Sequence, residues 1–131
     1  MTTKSAASTH EEPPSAYCPA FQGAVELIGK RWSGAIVRSM LSGSVRFSDI
    51  LAQIPGLSDR LLSERLRELE AAGVVERHVY AELPVRIEYT LTEKGRELRD
   101  IIVSVDRWAD RWAPAPAEAC DAASAAADLR S

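Results

Sequence analysis

Residues 55–73 read PGLSDRLLSERLRELEAAG. Pro55-Gly56 stops the element before it, and Ser58 or Asp59 offers a side-chain oxygen to cap a new helix. Leu62, Leu66 and Leu69 recur at helical spacing, with Leu61 at the margin. At ~100° per residue, Arg60, Glu64, Arg67 and Ala71 point the opposite way, with Ser63 beside them and Arg65 on the flank. Gly73 suits a left-handed stop. The stretch is a helix with a leucine back and a polar, arginine-bearing front, entered through a tight turn.

Before the turn, residues 46–54 predict a short helix with Phe47, Ile50, Leu51 and Ile54 on one face and Ser48 as a candidate cap. Further upstream, Pro19 suits a first helical turn. Phe21, Val25, Ile28, Trp32, Ile36 and Met40 then predict one helix over about 19–41, ended by Ser42-Gly43-Ser44. Ala24, Leu27 and Ala35 widen the stripe, so this helix should be buried on more than one side. Gly29 and Gly34 inside it each cost up to ~1 kcal/mol relative to alanine. Close approach of another helix, or room for a ligand beside Trp32, would offset that cost.

After Gly73 the period changes from 3.6 to 2. Val75, Arg77 and Val79 alternate with Glu76, His78 and Tyr80, and Ile87, Tyr89 and Leu91 with Arg86, Glu88 and Thr90. With Ala81–Val85 between them, these runs predict a β-hairpin. A last helix starts after Thr92, with apolar positions Leu98, Ile101, Ile102, Val105, Trp108, Ala109 and Trp112.

The order helix, short helix, turn, helix, hairpin, helix is that of a winged helix-turn-helix, a mainly α fold with a small β-hairpin. The helix at 58–72 would enter a major groove of double-stranded DNA by its N-terminal half. Its candidate DNA-binding residues are Ser58, Arg60, Ser63, Glu64 and Arg67, with Arg46 before it and with Arg86, joined by His78, at the hairpin tip, where they would touch the backbone or the adjacent minor groove. The alternative for each arginine is an i,i+4 surface pair such as Arg60 with Glu64. Trp108 and Trp112 reach beyond a compact core. Pairing the first and last helices in a homodimer would bury Phe21, Ile28, Leu98, Ile102, Val105, Trp108 and Trp112. Two such reading helices suit a pseudo-palindromic operator.

The 131 residues divide into a polar tail at 1–16, a domain at 17–112 and an Ala-rich tail at 113–131. The net charge of −3 arises in the tails. Residues 18–112 carry 14 basic and 14 acidic side chains, and residues 30–67 carry seven basic against three acidic. This local excess, rather than the whole-chain sum, is what a nucleic acid would meet. A neutral domain also permits a second reading, a winged-helix module that binds proteins and not DNA. No run approaches the ~20 apolar residues of a membrane span, and no apolar signal segment opens the chain, so a cytoplasmic protein is expected. There is no phosphate loop, nucleophile elbow or metal-ligand spacing, and the two cysteines, Cys18 and Cys120, form no disulfide framework. The expectation is a non-enzyme without metal or cofactor.

Several motifs together resemble the HxlR family of bacterial transcriptional regulators. They are Tyr17-Cys18-Pro19, Leu27-Ile28-Gly29-Lys30-Arg31-Trp32, Arg46-Phe47-Ser48, Pro55-Gly56-Leu57-Ser58, Leu62-Ser63-Glu64-Arg65-Leu66-Arg67-Glu68-Leu69 and Arg86-Ile87-Glu88-Tyr89-Thr90-Leu91-Thr92. The resemblance spans roughly 17–112. It implies a dimeric winged helix-turn-helix, joined by its first and last helices, that represses or activates nearby genes. It also implies that Cys18 is a candidate sensor of oxidants or electrophiles, as in several family members. A helix N-terminus favours a thiolate, whereas free cysteine is often only a small buried apolar residue. The sequence departs from the family pattern at Lys30-Arg31, at Ser33-Gly34 where bulky aliphatics are usual, and in a wing with a single proline, Pro84. The Ser33-Gly34 change opens two alternatives. One is a small-molecule pocket lined by Tyr17, Phe21, Trp32, Gly34, Trp108 and Trp112. The other is a helix packed closely over Gly34.

Overall fold

The computed structural model describes residues 15–113. The expected tails lie outside these residues except for Ser15, Ala16 and Ala113, and Cys120 lies outside them too. Eight elements follow one another: α1 (Pro19–Gly29), α2 (Ser33–Leu41), α3 (Phe47–Gln53), α4 (Asp59–Ala71), β1 (Val75–Tyr80), β2 (Arg86–Leu91), α5 (Glu93–Arg96) and α6 (Arg99–Trp112). None of these helices is long and apolar enough to cross a membrane.

The core forms where the helical stripes converge. Ile36 and Val37 of α2, Ile50 of α3, Leu62, Leu66 and Leu69 of α4, and Val74 and Val75 are all fully buried. The leucine back of α4 therefore lies against α2 and α3, and its polar front faces away. The Ser58 Oγ accepts the Leu61 N–H at 3.1 Å and caps the helix. At the other end Gly73 adopts φ +79°, the left-handed stop. For α3 the cap expected at Ser48 is not formed; its N-cap position is Arg46, with no side-chain cap.

The hairpin is antiparallel, pairing Val75 with Leu91 through to Tyr80 with Arg86. It is tied to the helices by Tyr89 N–H to the Val45 carbonyl, 2.7 Å, and Thr92 N–H to the Val74 carbonyl, 3.0 Å. The Lys94 Nζ and Thr92 Oγ1 donate to the Ala72 and Gly73 carbonyls at 2.7 and 2.6 Å. The C-terminus of α4 is thus closed by side chains from beyond the wing.

Two expected helices are broken. The first bends at Lys30–Trp32, where Lys30 is extended and Trp32 takes φ +79°. Tertiary contacts override the helical pattern there. The Arg65 Nε donates to the Arg31 carbonyl at 2.9 Å, Lys30 pairs with Glu68 at 2.9 Å, and the Trp32 ring rests beside Gly56. The expectation that the helix over about 19–41 is buried on more than one side fails in its first half within the single chain: α1 contains no buried residue, whereas α2 buries Ser33, Ile36, Val37, Ser39 and Met40. The last helix breaks at Glu97–Leu98 into α5 and α6, with a tight turn closed by Leu98 N–H to the Gly95 carbonyl.

Gly95 owes its identity to close approach. A Cβ there would overlap the Val74 carbonyl oxygen and meet Leu91 Cδ2 at 3.0 Å. Gly95→Ala should therefore destabilise the domain by about 1–3 kcal/mol. Denaturant titration should show a lower midpoint with an unchanged slope.

Candidate nucleic-acid interface

The front of α4 carries Arg60 and Arg67 exposed, with Ser63 and Glu64 half-buried between them. Among the described residues neither Arg60 nor Arg67 forms an ion pair or a side-chain hydrogen bond, and the anticipated Arg60–Glu64 pair is absent. Glu64 lies instead 3.6 Å from Arg65. Arg65 itself turns inward. It is 12% exposed and clasps the Arg31 carbonyl and Glu68. The fold thus removes the flank arginine from the surface, and among the described residues it leaves the two front arginines unpaired.

Lys30 and Arg65 both converge on Glu68. The hydrogen bond from Lys30, chiefly, holds the Glu68 carboxyl below its ordinary value. A carboxylate whose pKa is lower in the folded state adds stability that is present above its unfolded value and is lost as pH falls through the folded one. Wild type should therefore lose stability relative to Glu68→Gln as pH drops below about 4.5. Thermal melts of both proteins between neutral and acid pH would measure the convergence.

The wing differs in detail from expectation. Arg86 is not at the tip but opens β2, half-buried, where it bridges Glu82 at 2.9 Å and Glu88 and lies over the Tyr80 ring at 3.9 Å. Its hydrogen bond lowers the Glu82 pKa, and the two carboxylates raise that of Arg86. Arg86 is therefore committed to the wing's own structure. His78 sits in mid-strand, Nε2 3.0 Å from Thr90 Oγ1. Arg46 is exposed, and its charge also acts on Glu82, which brings it beside the wing. Sequence reading missed Arg77, exposed on β1 with no ion pair among the described residues. Its alternation with His78 was the available signal.

Away from this face, Phe21 is 67% exposed, Trp108 68% and Trp112 64%. Tyr17, Val25, Ile101 and Val105 are exposed with them, so neither tryptophan folds back on its own domain. Leu98 and Ile102, which the sequence assigned to a dimer interface, are half-buried and pack on the domain's own core. Ile28 is half-buried. Cys18 is exposed at the N-cap position of α1.

A cleft of about 750 Å³ opens beside Trp32. Tyr17, Phe21, Gly34, Trp108 and Trp112 do not line it. Tyr17 and Phe21 belong to the segment before the break at Lys30–Trp32, and Trp108 and Trp112 lie on the face of α6 away from the cleft, which α6 lines with Arg99, Ile102, Val103 and Asp106. Gly34 instead meets backbone, and a Cβ there would lie 3.3 Å from the Ile28 carbonyl oxygen, which is the close-packing alternative.

A helix with a polar front, backed by a short helix and flanked by a two-stranded wing, defines a winged helix-turn-helix protein. The model of the HxlR-like helix-turn-helix family matches residues 27–117. The uncharacterized HTH-type transcriptional regulator YvaP of Bacillus subtilis is 53% identical over 98 residues, covering 75% of this chain and 91% of that protein. The HTH-type transcriptional regulator YodB of the same organism is 44% identical over 95 residues, covering 72% and 85%. The structure of its reduced form superimposes with a TM-score of 0.66, over 75% of this chain and 96% of that one, at 43% identity. The oxidized form of the redox regulator HypR matches at TM-score 0.66 and 37% identity, over 72% and 96%. The chain belongs to the HxlR-like helix-turn-helix family. It is a transcriptional regulator of the winged-helix type, and not an enzyme.

Proposed function

We propose that the chain acts as a homodimer that reads a pseudo-palindromic operator in double-stranded DNA with α4. The observation that carries this reading is the selective pairing of charge. Arg65, Arg86 and Lys30 are each held by carboxylates of the domain, whereas among the described residues Arg60 and Arg67 on the outer face of α4 are not. Two unpaired guanidinium groups beside Ser58 and Ser63 suit base edges and phosphates of one major groove. Glu64 between them would discriminate, by accepting from a cytosine amino group or repelling phosphate. Arg46, at the start of α3, and Arg77 would meet the flanking backbone, and Arg86 would hold the wing that carries Arg77.

The dimer follows from helix physics. α1 has 11 residues and buries none of them. Isolated helices shorter than ~12–15 residues are marginal in water. Pairing Tyr17, Phe21 and Val25 with Ile101, Val105, Trp108 and Trp112 of a second copy would supply the missing packing.

Binding to DNA upstream of the chain's own gene, measured at low and high salt, tests the reading. Affinity should fall steeply as salt rises, because each neutralised phosphate releases counterions. Absence of salt-sensitive binding there and at neighbouring promoters would favour a protein-binding module.

Regulation by thiol chemistry at Cys18 is part of the proposal. Solved structures of YodB include quinone-bound and diamide-treated forms, and HypR is described as a redox regulator. Here the exposed thiol starts the helix that would form the dimer, so modifying it would disturb the spacing of the two reading helices. Cys18→Ser should bind DNA like wild type but resist release by a quinone or by diamide. If the variant is released like wild type, Cys18 is not the sensor.

A further inference from the structure

We infer that the cleft between α2 and α6 is a binding site for an amphipathic organic anion, an apolar ring system bearing one carboxylate. Its volume, about 750 Å³, is within the range of small-molecule sites. Trp32, Ile54, Pro55, Ile102 and Val103 provide an apolar wall. Facing it are two guanidinium groups, Arg38 and Arg99, and one carboxylate, Asp106. The hydrogen bonds from Arg38 to Asp106 both come from Nε, at 3.1 Å. Among the described residues Arg99 makes only a 3.4 Å contact to the Leu41 carbonyl. The polar wall therefore has one unbalanced positive charge.

Trp32 supplies two independent signs. Its Nε1–H is buried without an acceptor among the described residues. Buried donors are rarely left so, and because this atom has almost no exposed surface a ligand oxygen would reach it only after the indole ring shifts. Its backbone also holds a left-handed φ of +79°, which is uncommon for a bulky residue and concentrates at functional positions. The Arg31 guanidinium lies over the ring, 4.9 Å from its centroid, and the ring edge lies beside Gly56.

On α6 the cleft uses Arg99, Ile102, Val103 and Asp106, whereas the exposed stripe is Ile101, Val105, Trp108 and Trp112. These two sets are centred roughly 140° apart around the helix. A dimer built on the stripe would leave the cleft open. An anion that takes Arg38 from Asp106 would loosen the tether between α2 and α6, and so between the reading half and the paired helices. That consequence rests on the dimer proposed above; the binding itself does not.

The probe is 2-naphthoate, added to the full chain without DNA. The indole N–H resonance of Trp32, assigned by its disappearance in Trp32→Phe, should shift saturably. Arg99→Gln changes an exposed side chain, so the fold is kept, and it should weaken binding by roughly tenfold or more. The neutral 2-naphthamide should not bind. The site is refuted by any one of three results: no saturable shift up to the solubility limit, equal binding of the amide, or unchanged affinity in Arg99→Gln. Because no DNA is present, none of these results bears on operator recognition.

Discussion

Replacing Arg60 and Arg67 together with alanine should weaken operator binding by roughly 30-fold or more and leave the domain folded. Both side chains are exposed on the front of α4, and among the described residues neither is engaged by another group. Their removal therefore breaks nothing in the free protein, and stability should change by no more than about 0.5 kcal/mol. In a major groove, an arginine paired with a base edge contributes about 1–3 kcal/mol. Two such losses sum to about 2–6 kcal/mol, roughly a 30-fold to over 10,000-fold drop in affinity. Arg65→Ala should behave differently. It removes the clasp on Arg31 and Glu68, so it should lower stability as well as binding. Electrophoretic titration of operator DNA, run beside thermal melts, separates the two outcomes. Full operator affinity in the Arg60→Ala/Arg67→Ala protein would remove α4 as the reading element.

Trp108→Ser with Trp112→Ser should convert the protein to a monomer and weaken operator binding by roughly 100-fold or more. These tryptophans are 68% and 64% exposed, and neither belongs to the core cluster. Large aromatic residues buried at an interface commonly contribute ~2 kcal/mol or more each. Losing both should weaken dimerisation by roughly 1,000-fold. Each reading helix would then bind its half-site alone. Sedimentation should give the mass of one chain at concentrations where wild type has the mass of two, with helix content nearly unchanged. A variant that remains a dimer would place the interface elsewhere.

The two breaks in the helices show where local pattern stops being informative. The stripe from Phe21 to Met40 is unbroken at 3.6 periodicity, and nothing nearby in the sequence announces a left-handed tryptophan. The break comes from groups 34 and 38 residues away, Arg65 on the Arg31 carbonyl and Glu68 on Lys30. Such pairings exist only once the chain has folded. By contrast, α4 and the hairpin were legible because their signals are local: a capping serine, leucines at helical spacing, a glycine stop and a change of period. Arg60 and Arg67 follow from α4's own geometry. Arg86 does not, because its capture by Glu82 and Glu88 depends on the hairpin register. Of the residues expected to line a pocket, only Trp32 borders the observed cleft, because its walls come from α2, α6 and the end of α3.

The most direct measurement is a hydroxyl-radical footprint of the wild-type protein on the promoter of its own gene. Two protected patches, related by a two-fold axis and centred about one helical turn apart or a multiple of it, are expected. Protection should vanish at each half-site in the Arg60→Ala/Arg67→Ala protein. A single unsymmetrical patch, or protection that survives loss of both arginines, would contradict a dimer that reads its operator through α4.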